Sequence, residues 1–218
     1  MKKFLTLALL FAMAFTCSAQ KVASWTGVRV SYSNFKLNRD GMQEVLKQSL
    51  TQTFNGLSGT FVKSWQLSNR VPFYLETGLQ LEWGTNSLDV LKELIGGGSS
   101  ELTTTKTNIL NLGIPLNFGY FIQIGQSGTF GIAPYVGLDG KCYVYGNMSA
   151  LGSDFNIFDK DKLKDFASLR FQLGWHVGAN LHISKFVVGA SYGSDFTKFI
   201  KDENTKMKTW KINVGINF

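Results

Sequence analysis

Residues 169–183 read Leu-Arg-Phe-Gln-Leu-Gly-Trp-His-Val-Gly-Ala-Asn-Leu-His-Ile, and every odd-numbered position is apolar. Between them stand Arg170, Gln172, Gly174, His176, Gly178, Asn180 and His182. Such strict alternation is the mark of a β-strand whose two faces meet different surroundings. Residues 110–124 repeat it, with Leu110, Leu112, Ile114, Leu116, Phe118, Tyr120, Ile122 and Ile124 on one face. Asn111, Gly113, Pro115, Asn117, Gly119, Phe121 and Gln123 make up the other. The chain ends in the same way, with Trp210, Ile212, Val214, Ile216 and Phe218 set against Lys211, Asn213, Gly215 and Asn217.

Strands of soluble sandwiches alternate too, but they usually run about 5–6 residues. A strand that crosses a bilayer needs about 9–11. The polar faces here hold mainly Gly, Asn, Gln, Ser and isolated charges. That composition suits the crowded interior of a barrel better than a solvated sheet face. The expected fold is therefore all-β, an eight-stranded antiparallel transmembrane β-barrel. Its strands are expected at about 22–32, 57–67, 72–83, 108–124, 129–145, 168–183, 186–198 and 208–218. Short links at 68–70, 125–128 and 184–185 alternate with long segments at 33–56, 84–107, 146–167 and 199–207. Short periplasmic turns and long extracellular loops have that alternation. Tyr32, Trp83 and Trp210 then fall near the outer rim. Trp65, Phe73, Phe186 and Phe218 fall near the periplasmic rim, so two interfacial aromatic girdles are expected.

Two features strain against this scheme. Pro115 and Pro134 lie inside strands that have no free edge, where proline loses a ladder bond, so bulges are expected there. Lys63 shares a lipid-facing parity with Phe61, Trp65 and Leu67. Either it reaches a rim, or the second strand changes phase near Gly59.

The first residues fit export. Lys2 and Lys3 precede an apolar run from Phe4 to Phe15, followed by small residues at Cys17 and Ala19. This is the pattern of a secretory signal peptide over 1–19, leaving the barrel in 20–218 and placing the protein in the outer membrane. A lipoprotein signal acylated at Cys17 fits less well, because Phe15-Thr16 precede the cysteine. Without Cys17 the only cysteine is Cys142, which leaves no intrachain disulfide, and one Cys with two His is a poor basis for a structural zinc site. No cofactor or metal is expected.

The chain carries 22 Lys and Arg against 15 Asp and Glu, a formal +7 that invites a nucleic-acid partner. Its distribution does not support one. Taken as 33–56, 84–107, 146–167 and 199–208, the loops hold 11 basic and 11 acidic residues. The excess belongs to the signal peptide, the periplasmic rim and the lumen, and no contiguous basic face remains for a phosphate backbone.

A lumen of eight strands is just wide enough for side chains to fill. Arg29, Glu76, Glu82, Asp139, Lys141, Arg170 and Lys211 are expected to point inward and pair as a plug. His176 and His182 point inward too, roughly 20 Å apart at about 3.3 Å per residue, too far to share a metal. No local motif sets a serine beside either histidine, so no catalytic residues are assigned. Among the loops, Met42, Val45, Leu46, Leu50 and Phe54 share a helical face, and Ser87 is placed to cap a helix over 88–95. The third loop holds Phe155, Ile157, Phe158, Leu163 and Phe166. These apolar faces suit a lid over the mouth or a docking surface for a protein or glycan. Asp159 and Asp161 lack the rest of a calcium loop.

Several pieces resemble a known family, the outer membrane protein beta-barrel domain proteins of Gram-negative bacteria, also described as porin-like or PorT-like small barrels. They are Gly27-Val28-Arg29-Val30-Ser31-Tyr32-Ser33-Asn34-Phe35, the hairpin from Gly59 to Trp83, and the proline-bearing Leu112-Gly113-Ile114-Pro115-Leu116. The alternating end Trp210, Ile212, Val214, Ile216, Phe218 resembles the signal read by the outer-membrane assembly machinery. The likeness spans the whole mature chain. It implies a barrel in contact with membrane lipids. Some members are accessory subunits of secretion or nutrient-uptake complexes. The expected role is a non-enzymatic, surface-exposed interaction or accessory protein, with a small-solute or ion pore and a lipid-modifying barrel enzyme as alternatives.

Overall fold

In the computed structural model the described residues are 24–39, 52–68, 71–89, 104–124, 130–150, 153–159, 169–199 and 205–218. They form β1 (Thr26–Arg39), β2 (Gln52–Gln66), β3 (Phe73–Asp89), β4 (Thr104–Tyr120), β5 (Ile122–Ile124), β6 (Phe130–Ala150), β7 (Ser153–Asn156), β8 (Phe171–Ile183), β9 (Phe186–Asp195) and β10 (Thr205–Asn217). Each neighbouring pair is antiparallel, and β1 meets β10 from Gly27↔Asn217 to Arg39↔Thr205, which closes the sheet. Because β5 continues β4 and β7 is a short outer return on β6, the closed wall has eight staves.

Through the membrane band, burial follows the alternation. Val28, Val30, Leu79, Leu81, Ile114, Val136, Val177, Val214 and their companions face outward, while Arg29, Ser31, Gln80, Glu82, Asn117, His176 and Asn180 are buried inside. Hydrocarbon solvates no backbone polar group, and a closed ladder of this kind leaves none unpaired along an edge.

Most of the staves extend further out than the expected boundaries. In this outer section period two persists with its polarity reversed: Phe35, Leu37, Phe54, Ile109 and Met207 point in, while Lys36, Asn55, Lys106, Asn108 and Lys208 point out. Water surrounds the wall there, so the apolar face turns inward as in a soluble sheet. This corrects two loop expectations. Phe54 is a buried residue of β2, not part of a helical face, and Ser87, Leu88 and Asp89 belong to β3, so Ser87 caps no helix. Met42, Val45, Leu46, Leu50, Leu163 and Phe166, and residues 90–95, lie outside the described residues.

Neither proline makes a bulge. Pro115 stays in register with Asp139, and the β3–β4 ladder skips Gly78–Leu79 opposite Ile114–Pro115 without slipping. The Thr77 hydroxyl instead donates to the Pro115 carbonyl at 2.7 Å. Pro134 faces Ala179 in β8, with its other side at the gap between β4 and β5. The single register shift between β4 and β6 falls higher up, where Leu110↔Tyr145 is followed by Asn111↔Tyr143 and Val144 is the extra residue. Strand β2 keeps one phase throughout. Lys63 pairs with Thr26 at the periplasmic start of β1, and its Nζ donates to the Thr26 hydroxyl at 2.9 Å, so it reaches the rim.

Candidate functional site

The lumen is stratified into layers of different chemistry. Nearest the periplasm, Trp25, Tyr74, Ala133 and Tyr135 are buried together, with Phe121 packed against them. Trp25 lies 5.1 Å from the Tyr74 ring and 5.0 Å from the His182 ring, and Phe121 sits 5.3 Å from His182. Glycine makes this packing possible. A Cβ on Gly119 would stand 2.3 Å from the Tyr74 ring, and one on Gly131 2.4 Å from the Phe121 ring.

Above this aromatic floor, Glu76 collects four donors. Arg29 grips it through both terminal nitrogens at 2.9 and 2.6 Å, Trp25 Nε1 donates at 2.9 Å, and Asn117 Nδ2 donates at 3.1 Å. A bidentate guanidinium–carboxylate pair is among the stronger arrangements for buried charge. With Asn117 Nδ2 committed to Glu76, its Oδ1 faces His176 Nε2, and His176 Nδ1 lies 2.7 Å from Asp139. Both contacts are satisfied together when each ring nitrogen carries its proton.

Further out, Glu82 accepts from Ser33 at 2.6 Å, Asn111 at 3.2 Å and Gln80 at 3.3 Å, with Lys211 Nζ at 3.4 Å. Lys141 meets Asp195 at 2.8 Å. A cavity of about 70 Å³ lies among these groups, lined by Arg29, Gln80, Tyr135, Asp139, Ser191 and Lys211 among others. At roughly 10–15 Å³ per water it has room for about five to seven.

The outermost layer is apolar again: Phe35, Leu37, Phe54, Ile109, Tyr143, Ile157, Phe158, Phe199 and Met207. Phe35 and Phe54 stack at 5.4 Å, and Tyr143 packs against Phe199 at 5.5 Å and Phe158 at 5.9 Å. Ile157 and Phe158 follow β7, and Phe199 lies beyond β9, so chain from two outer connections fills the mouth.

Of the seven charges assigned to the lumen by parity, Arg29, Glu76, Glu82, Asp139, Lys141 and Lys211 lie inside it. Arg170 does not. The chain bends just before β8, and parity fails at the bend. Arg170 is exposed, donates to the carbonyls of Tyr143 and Val144 beside the extra residue of β6, and stacks 4.7 Å from the centre of the Phe158 ring. Asp195, not among the seven, completes the network as the partner of Lys141. Trp25, just before β1, and Gln80, on the inward face of β3, complete it without having been singled out, and Asn117 comes from the polar face of β4.

The residues assigned to the girdles all lie on the outer face. Tyr32 packs edge-on against Trp210 at 5.6 Å, Trp83 stacks on Tyr145 at 6.1 Å, and Phe73 stacks on Phe118 at 5.4 Å. Trp65 and Phe186 are exposed, as are Trp210, Ile212, Val214, Ile216 and Phe218 along β10.

A closed antiparallel barrel with an apolar belt and a filled polar interior is an integral membrane β-barrel. The chain belongs to the Outer membrane protein beta-barrel domain family, whose model matches residues 7–218. No curated protein matches it. Among solved structures it is similar to Ail, the attachment invasion locus protein of Yersinia pestis, in complex with the heparin analogue sucrose octasulfate. That match has 12% identity and a TM-score of 0.46, covering 90% of this chain and 100% of that one. Neisserial surface protein A matches at 11% identity and TM-score 0.45, again over 90% and 100%. The outer membrane enzyme PagL matches at 12% and 0.46, over 86% and 98%. At such identities and TM-scores the likeness carries no argument about this chain.

Proposed function

We propose that this outer-membrane barrel neither conducts nor catalyses, and serves as a surface-exposed interaction or accessory protein through its outer extension and loops, with a protein or glycan as partner. The observation that carries this reading is the double seal. Apolar clusters pack inside the wall towards both ends, and between them three ion pairs join Arg29–Glu76, Lys211–Glu82 and Lys141–Asp195, with His176 hydrogen-bonded to Asp139. The pore alternative needs a continuous wet path, and both seals lie across it. The enzyme alternative needs a base with a free nitrogen beside a nucleophile. His176 presents Nδ1 to a carboxylate and Nε2 to an amide oxygen, and His182, whose Nε2 has no partner among the described residues, has the Trp25 and Phe121 rings packed against it. In this scheme the signal peptide over 1–19 is removed on export, and Trp210, Ile212, Val214, Ile216 and Phe218 present the apolar strand end that the assembly machinery reads.

Planar-bilayer recording of purified protein is expected to show a flat baseline. Steady unitary steps that scale with protein would overturn the sealed lumen. The interaction half has its own test. Photo-crosslinkers at the outer-rim positions Asn55 and Asn108 are expected to capture one stoichiometric partner in native outer membranes, while a crosslinker at lipid-facing Leu138 captures none. Equal capture at all three positions would count against a surface-directed role.

A further inference from the structure

Lys36 on β1 and Lys208 on β10 stand directly opposite one another in the ladder that closes the barrel, and Lys206 pairs one step further out with Asn38. All three have the outward parity of Tyr32 and Trp210; Lys36 and Lys208 are exposed and Lys206 is half-buried. Like charges facing each other across an antiparallel pair are destabilising. Among the described residues no carboxylate joins any of the three. Their neighbours on the flanking strands, Thr53 beside Lys36 and Ser194 beside Lys208, are neutral hydroxyls. A local conflict with no compensation among the described residues points to a partner outside them.

The height of the cluster indicates what that partner is. Lys208 lies ten residues along β10 from the periplasmic Phe218. At about 3.3 Å per residue and a tilt of roughly 35–45°, this places it about 25 Å above the periplasmic edge, at the top of the lipid-facing apolar band. Immediately below stand the Tyr32–Trp210 pair and Ile212, surfaces suited to the upper part of an acyl chain. Beside the lysines, Asn55 Oδ1 accepts from both Tyr32 and Asn34, which leaves its amide nitrogen as a further donor. Elsewhere the cross-strand row Asn55, Thr85, Asn108, Asn147 is neutral. Lys106 stands apart, between Ser87 and Ser149. Positive charge is thus doubled at one sector of the wall, at the level of the outer head groups.

We propose that Lys36, Lys206 and Lys208 form a docking site for a phosphate-bearing lipid of the outer leaflet. The phosphate bridges the Lys36 and Lys208 ammonium groups, which removes their mutual repulsion, and the acyl region lies against Tyr32, Trp210 and Ile212. The site is on the wall of the barrel, separate from the lumen.

Native mass spectrometry of the full-length folded barrel in detergent tests this, with diphosphorylated lipid A, the same lipid after dephosphorylation, and inorganic phosphate as probes. Wild type is expected to retain one phosphorylated lipid. The K36Q/K208Q and K36Q/K206Q/K208Q variants are expected to retain it about tenfold less or weaker still, and K106Q to match wild type. Heat-modifiable gel mobility reports folding of each variant. The charge-preserving K36R/K208R is expected to keep the lipid, so the comparison survives a folding defect in the glutamine variants. Equal retention of the dephosphorylated lipid, or wild-type retention by K36Q/K208Q, would overturn the proposal. So would full competition by inorganic phosphate, which would mark a free-anion site.

Discussion

Glu76→Ala is expected to lower the unfolding free energy of the barrel by about 3–5 kcal/mol, the usual cost of removing one partner of a buried ion pair. The carboxylate is 1% exposed and accepts from Arg29, Trp25 and Asn117. Its loss strands the Arg29 guanidinium, 6% exposed, without the carboxylate that grips both its terminal nitrogens. It also frees Asn117 to turn, which unsettles the His176 contact. Urea titration of protein refolded into vesicles, followed by heat-modifiable mobility, measures the effect. Arg29→Met combined with Glu76→Leu is expected to restore much of the loss, because the cost lies in an unpaired charge more than in a missing bond. If the double variant is as unstable as the sum of the single ones, the unpaired-charge account fails.

Phe54→Ala is expected to cost a similar amount, about 3–5 kcal/mol, but in a different place. Phe54 is 2% exposed and stacks on Phe35 in the outer apolar layer, above the lipid. Below it the wall is held by membrane and ion pairs that do not depend on this ring. The damage is therefore expected to be local. Limited proteolysis from the outer face is expected to cut the outer ends of β1 and β2 while the membrane section stays folded and heat-modifiable. Global loss of the folded band, or an unchanged digestion pattern, would contradict an outer core that is separable from the barrel below.

The membrane section was legible in the sequence because lipid imposes one rule on every stave, apolar outward, and fifteen residues such as 169–183 repeat it without exception. The outer section obeys the opposite rule. Phe54, Ile109 and Met207 carry the same period of two as Val30 or Ile212, but where polarity reversed the pattern looked like the end of a strand. At Phe54 a chance spacing with Leu46 and Leu50 then suggested a helix. Inward charges followed from parity, and the same parity applied to β9 would have placed Asp195 beside them. Pairing was less accessible. Arg29 faces Thr60 and Gly215 in its own ladders, yet its partner Glu76 comes from β3, beyond the adjacent strand. Contacts across a narrow lumen depend on the stagger of all the staves, which no single segment records. Arg170 escaped for a simpler reason: a bend precedes β8, and alternation carries no information through a bend.

The extra residue of β6 works as a phase shifter. Below it, odd-numbered residues such as Lys141 and Tyr143 point inward; above it, Gly146 and Met148 take over that face, and Val144 and Tyr145 both look out. Deleting Val144 would remove the shift and leave Tyr145 outward and Gly146 and Met148 inward, whereas deleting Gly146 would exchange inside for outside along the rest of the stave. Asn147 would then enter the apolar mouth and Met148 would face water. Above the shift β6 can therefore change length in steps of two far more easily than in steps of one, and a single codon lost at Gly146 does more harm than one lost at Val144, whose removal leaves every other side chain on its own face.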